Sequence, residues 1–244
     1  MYPHIHIGIN IPTYSLMTGI GFLFASFLGI RRKEYYGYND HILLVMIGFT
    51  LVGMGLGSKV LFFLTQIPKI AEDFTLKAII ETFGTSGFVF YGGLLGAMTF
   101  SYLGAKVIAV NPATMLSFLT PSFVVFHAFG RIGCFLGGCC YGIPWKYGVA
   151  MAETPEIKRV PVQLIESGFE FFILWVLLHI EKKGYYNLIL IYLFLYAIVR
   201  FLDEFLRGDS VRGIWYMGLS TSQYISIAIF IIVIWYSWQH RTNS

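Results

Sequence analysis

Arg131 closes an otherwise apolar run, MLSFLTPSFVVFHAFGRIGCF, and is followed at once by GGCCYG. A charged side chain inside a membrane-crossing segment costs about 2.5–3.5 kcal/mol on insertion scales, so it faces a polar cavity, a partner or an anionic ligand. Arg131 is therefore a functional-site candidate. Arg200, Glu204 and Arg207 recur at helical spacings of four and three, with Asp203 flanking them, so they share one face. That face is either a self-satisfied ion-pair ladder or, with a further anion, part of a binding cradle. Gln163, Glu166 and Glu170 share a second helical face. Glu170 falls about a full turn deep, where a carboxyl is paired or protonated; the geometry allows a partner from Arg131 or Arg200, and a pairing between helices for stability alone is the other reading.

Cys134, Cys139 and Cys140 form the pattern C-x4-C-C, which lacks the paired C-x2-C halves of a usual zinc site. No metal site is expected from that spacing, even with His127 on the same segment. Small apolar packing is the expected role for at least two of the cysteines. A nucleophilic thiolate, at Cys139 or Cys134, and an oxidised pair are the alternatives. Tyr14, in PTYSLM, is either an interfacial residue or a hydroxyl donor into a cavity. In Tyr91-Gly92-Gly93 the small residues permit close helix packing.

The elements that must position these groups follow from composition. The chain has 244 residues, 57% hydrophobic and 12% charged, with a mean hydropathy of +0.69. These values fall outside the range of a soluble domain and indicate an all-α integral membrane protein. About seven apolar stretches are long enough to span hydrocarbon, near residues 12–30, 41–63, 87–105, 115–135, 164–180, 185–203 and 216–238. No remaining segment is large enough for its own soluble core, so residues 1–244 read as a single membrane domain with extracytoplasmic loops. The first apolar run lacks the basic flank and cleavage site of a signal peptide and reads as a retained helix.

Short basic loops set the expected orientation. Arg31, Arg32 and Lys33, then Lys182 and Lys183, then Arg241 mark cytoplasmic ends, leaving the amino terminus outside and the carboxyl terminus inside. Arg131, residues 136–163 and Arg200 to Arg212 then share the outer side. The formal charge of +4 is spread through connections, which argues against nucleic-acid binding. Residues 65–86 mix Ile, Leu and Phe with five charges and suit a helix lying at the interface. Tyr35, Tyr36, Tyr185, Tyr186, Trp215, Tyr216, Trp235 and Trp238 fit an interfacial aromatic belt.

GRIGCFLGGCCYG, PVQLIES, RFLDEFLRGD and LSTSQYIS, with YSLM in the first helix and YGG in the third, resemble in order and spacing the prolipoprotein diacylglyceryl transferase family. The resemblance covers nearly the whole chain. It implies a seven-span bacterial inner-membrane enzyme around a central lipid-binding cavity, working without a cofactor. Such an enzyme moves the diacylglyceryl group of phosphatidylglycerol, or a related anionic phospholipid, onto the lipobox cysteine thiol of a preprotein. Carried over by motif, Arg131 and Arg200 neutralise the lipid phosphate, and Glu204 orients them. Tyr14 and Tyr91 fall at active-site positions. Arg207, Gly92, Gly93, Gly142, Gln163 and Glu166 complete the substrate-binding set.

The chain departs from the family signature G-R-I-G-N-F-x-N-G-E in having Cys134, Gly137 and Cys139 at the two asparagines and the glutamate. Tyr91 stands where the typical member has histidine. An amide, a carboxylate and an imidazole are replaced together, leaving Tyr91 or Glu170 to accept the acceptor proton. The phosphate half of the site is retained and the acceptor half is altered. A transferase is the leading expectation. A non-catalytic phospholipid-binding or lipid-moving protein, or a transferase retargeted to another acceptor, is the alternative.

Overall fold

A chain crossing hydrocarbon must satisfy every backbone N–H and C=O internally, and uninterrupted apolar runs do so as helices. The computed structural model describes residues 3–6, 10–72, 75, 90–151, 155–185, 187–208, 214 and 216–241. The described helices are α1 (Thr13–Arg32), α2 (Asp40–Glu72), α3 (Phe90–Val107), α4 (Pro112–Gly137), α5 (Val162–Glu181), α6 (Leu188–Asp203) and α7 (Thr221–Arg241). The all-α class is as expected.

Among the described residues, five segments are long and apolar enough to cross a membrane: Thr13–Tyr36, Asp40–Ile67, Pro112–Gly137, Val162–Glu181 and Thr221–Gln239. The two other expected spans appear as α3, with 18 residues, and α6, with 16. At 1.5 Å per residue, α6 reaches about 24 Å, less than the roughly 30 Å of hydrocarbon. The protein is multi-pass, and five crossings meet the length and hydropathy requirement.

Residues 65–72, expected to begin an interfacial helix, instead continue α2 without a break. Most of residues 73–86 lies outside the described residues, as do Tyr186, Arg212 and Trp215. Two short antiparallel ribbons, which periodicity did not announce, lie outside the helices. They are β1 (His4–His6) with β2 (Asn10–Pro12), and β3 (Pro144–Ala150) with β4 (Lys158–Arg159).

The chain divides into two compact units, Ile30–Phe118 and Met1–Gly29 with Leu119–Ser244. Within the first, α2 and α3 cross through facing glycines. A Cβ placed on Gly57 would fall on the Gly92 carbonyl oxygen, and one on Gly96 would fall on the Gly53 carbonyl oxygen. Only hydrogen at these positions lets the backbones approach so closely. Thr50 and Ser101 exchange a hydroxyl hydrogen bond of 2.8 Å across the same pair. Arg32, counted above among loop charges, is buried; its Nη1 donates to the Phe118 carbonyl oxygen at 2.7 Å.

In the second unit, α5 and α6 form the apolar centre. Val124, Ile173, Leu177, Leu188 and Tyr192 cluster there. On α5 the buried positions are Val162, Gln163, Glu166, Ser167, Glu170, Ile173, Leu177 and Glu181. The buried face of α5 is thus polar from Gln163 to Glu170 and apolar at Ile173 and Leu177, before Glu181 closes the helix. The opposite face exposes Phe169, Phe172 and Trp175, as a lipid-facing surface requires.

Candidate active site

Three helices contribute polar residues at helical spacing. On α4, His127 and Arg131 are four apart, with Cys134 three further on. On α5 the ladder is Gln163, Glu166 and Glu170, and on α6 it is Tyr192, Tyr196 and Arg200, continuing to Glu204 in a 3-10 turn. These residues share a face within each helix, and the second unit brings the faces together.

Arg131 Nη2 lies 2.6 Å from Glu166 Oε2. Glu166 Oε1 accepts from the Tyr196 hydroxyl at 3.0 Å, and His127 Nε2 stands 4.0 Å from the same oxygen. His127 Nδ1 is hydrogen-bonded to Glu170 Oε1 at 2.7 Å, and that oxygen also accepts from Tyr192 at 3.3 Å. The partner of Glu170 is therefore His127 and Tyr192, in place of either arginine. The α4–α5 geometry assigns the arginine to Glu166, one turn nearer the start of α5.

A second cluster sits at the end of α6. Arg200 donates from Nη1 to Asp203 Oδ2 at 3.3 Å and from Nη2 to the Ser222 hydroxyl at 2.9 Å, and Nη2 lies 2.8 Å from Glu204 Oε2. Arg207 Nη1 is 3.7 Å from the same Glu204 oxygen. Glu166 and Asp203 are each within electrostatic reach of both Arg131 and Arg200, so the two clusters form one polar region. Three guanidiniums here meet the carboxylates of Glu166, Asp203 and Glu204, all buried.

Arg131 has further capacity. Its side chain is 11% exposed, and its buried Nε has no hydrogen-bond partner among the described residues. A buried N–H without an acceptor costs about 1–3 kcal/mol, so a ligand oxygen delivered there gains that amount back. Phosphate and carboxylate match the planar donor fork of arginine best.

The helix end beside Arg131 is built by its glycines. Gly138 has a φ of +82° and stops α4; its N–H donates to the Phe135 carbonyl at 3.2 Å while that of Cys139 donates to the Cys134 carbonyl at 3.1 Å. This is the paired-bond Schellman ending, and it folds residues 139–140 back over the last helical turn. Gln163 Nε2 fastens the fold by donating to the Cys139 carbonyl at 2.6 Å. As a result the sulfur atoms of Cys134, Cys139 and Cys140 all lie within 4.8 Å of one another. The Cys140 thiol is held well below the usual thiol range by hydrogen bonds with Cys134 and Cys139 and by the charges of Arg131 and Arg207.

Gly142 forms a bridge with Arg207, and its N–H donates to the Val160 carbonyl at 3.2 Å. A Cβ there would lie 2.9 Å from the Leu206 carbonyl oxygen, so Gly142 closes the seam that holds Arg207 in place. Tyr14 is 45% exposed and lies against Gly133, where an added Cβ would meet Tyr14 Cδ2 at 3.1 Å. Gly92 and Gly93 belong to the other unit, where they pack against α2, and Tyr91 lies beside them on α3.

The family model for prolipoprotein diacylglyceryl transferase matches residues 3–239. The chain belongs to this family. Among its relatives, the phosphatidylglycerol–prolipoprotein diacylglyceryl transferase of Clostridium tetani is 37% identical over 235 residues, covering 92% of this chain and 91% of the relative. The second enzyme of that name in Clostridium perfringens is 32% identical, covering 92% and 89% of the two chains. That of Legionella pneumophila strain Paris is 29% identical, covering 96% and 94%.

Within this diacylglyceryl transferase family member, spacing brought out Arg131, Arg200, Glu204, Arg207, Gln163 and Glu166, and the second unit assembles them. His127, Tyr192, Tyr196 and Ser222 were missed as members of the network. For His127, Tyr192 and Tyr196 the signal was present in the four-residue steps 127–131 and 192–196–200, but aromatic residues in a membrane helix are ordinarily read as packing or belt.

Proposed function

We propose that this protein transfers the diacylglyceryl group of phosphatidylglycerol to the thiol of a lipobox cysteine in a preprotein. It works at the outer side of the bacterial inner membrane, with its amino terminus extracytoplasmic and its carboxyl terminus cytoplasmic. The relatives' names supply the reaction class. The observation that carries it to this chain is the buried Arg131, its Nε without an acceptor among the described residues, in one polar region with a second buried arginine, Arg200.

The phosphodiester oxygens take the donors of Arg131 and Arg200, with Arg207 at the rim. Glu166 and Glu204 hold the guanidiniums in place, and Gln163 and Gly142 hold the loop between them. The acceptor sulfur attacks the glycerol carbon of the diacylglyceryl group, a C–S bond forms, and the C–O bond to phosphorus breaks. Glycerol phosphate leaves with its charge increased by one, and donors already aimed at phosphate stabilise that change most. Transfer is direct: a thioether formed on Cys134 or Cys139 would be a dead end, because an uncharged alkyl thioether is a poor leaving group.

The replaced asparagine, glutamate and histidine favour a second reading, in which the cradle binds lipid without chemistry. The test is to incubate purified protein with phosphatidylglycerol and a lipobox peptide and to weigh the peptide by mass spectrometry, with Arg131→Ala as control. A diacylglyceryl adduct that disappears in the variant is expected. Arginine-dependent lipid binding with no adduct would establish the silent reading instead.

A further inference from the structure

The transferase reading leaves the acceptor half of the site without the groups that usually prepare a thiol, and places three thiols there. Cys134 and Cys139 occupy signature positions, and Cys140 adjoins them. Their sulfur atoms lie within 4.8 Å of one another. Three sulfurs bound to zinc at about 2.3 Å sit roughly 3.8–4.0 Å apart, so side-chain adjustments of well under an ångström complete the geometry. The Schellman ending of α4, and the left-handed backbone of Cys140 at φ +57°, bring together residues that sequence spacing alone would not mark as a site.

The surroundings suit a cation bound by thiolates. Cys134 and Cys140 are half-buried and Cys139 is exposed, so the cluster is open on one side. Arg131 and Arg207 are within electrostatic reach of Cys140 and offset the excess negative charge of three thiolates around a divalent ion. Among the described residues no other group of three metal-ligating side chains converges in this way. A three-ligand zinc site with an open fourth position is the arrangement of catalytic zinc, whereas structural sites are closed by four protein ligands.

We propose that Cys134, Cys139 and Cys140 hold a thiophilic divalent cation of the zinc type, whose open position takes the acceptor cysteine as its thiolate. The proposal rests on the transferase reading for the identity of the acceptor. Coordination deprotonates a thiol outright, so the metal replaces the missing base. The acceptor S–H proton leaves to water as the metal–sulfur bond forms. The bound sulfur then attacks the glycerol carbon, the C–O bond breaks, and glycerol phosphate departs onto the arginines. The product is a neutral thioether, a weaker ligand than a thiolate, and it leaves the metal for the next acceptor.

The experiment uses the full-length protein in lipid nanodiscs, stripped of metal and titrated with Co2+ as spectroscopic probe, with zinc content measured on the protein as isolated. One equivalent of Co2+ is expected to give thiolate charge-transfer absorption and the ligand-field bands of a tetrahedral site. Cys139→Ser, at an exposed position that does not threaten folding, is expected to weaken Co2+ binding by a factor on the order of 10 or more. A lipobox peptide is expected to shift the ligand-field bands, and the same peptide with serine for its cysteine is not. Absence of a cysteine-dependent spectrum overturns the site. A spectrum indifferent to the peptide, or transfer unchanged by chelation and by Cys139→Ser, overturns its role with the acceptor while leaving the transferase reading intact. A normal spectrum and peptide shift without any lipid transfer, in metal-loaded protein, overturns the transferase reading and leaves the metal site standing.

Discussion

Arg131 Nη2 and Glu166 Oε2 meet at 2.6 Å between α4 and α5, both side chains almost fully buried. Removing one partner of such a pair strands the other charge. Arg131→Met is therefore expected to destabilise the protein by about 3–5 kcal/mol. Arg131→Met combined with Glu166→Met should regain most of that loss, since matched apolar replacements of buried pairs are often neutral. Thermal unfolding in detergent measures the rescue, and phosphatidylglycerol binding should remain lost in the double variant. Native lipid binding by the double variant would remove Arg131 from the cradle.

Arg200 is held on several sides, by Asp203, Ser222 and Glu204. Lysine keeps the charge but not the planar fork, so Arg200→Lys is expected to lose most of the transfer activity while the protein still folds. Ser222→Ala removes a single hydrogen bond to a charged group, with an expected effect of about 1.5–3 kcal/mol on stability and transfer together. Comparing the two variants by melting temperature and initial rate separates positioning of the guanidinium from its presence.

His127 and Glu170 form a buried pair that the proposed reaction does not touch directly. Glu170→Gln keeps the shape and much of the hydrogen bonding and should change activity little. His127→Phe leaves the Glu170 carboxyl with Tyr192 alone and should cost about 1–3 kcal/mol. A double-mutant cycle between His127→Phe and Glu170→Leu is expected to show a coupling of about 0.5–3 kcal/mol. Zero coupling would mean that the two do not act as a pair.

Neighbouring glycines of α2 offer a contrast. A Cβ on Gly57 falls on the α3 backbone, whereas one on Gly55 meets nothing within 4 Å. Gly57→Val is expected to destabilise the α2–α3 crossing by about 1–3 kcal/mol through overpacking. Gly55→Ala should be neutral or stabilising by up to roughly 1 kcal/mol through helix propensity. Melting temperatures of the two variants decide this.

The sequence alone carries the class of this protein and the faces of its site. Apolar runs of span length require helices, because backbone groups in hydrocarbon must bond internally, and a helix places residues three and four apart on one face. That Arg131 and Glu166 lie on helix faces bearing other polar residues, and that Arg200, Glu204 and Arg207 share one, was therefore legible in the spacing, which makes them candidates for the site. Partnership was not. Whether Glu170 pairs with an arginine or with His127, and whether Arg32 is a loop charge or a buried donor to Phe118, depends on how helices pack. The same holds for the cysteines. Spacing argued against a metal site, because C-x4-C-C matches no paired-ligand pattern, yet the left-handed residues Gly138 and Cys140 reverse the chain over the end of α4 and bring three sulfurs together. Spacing determines a face only while the backbone stays regular; where a helix ends, the turn decides which side chains meet.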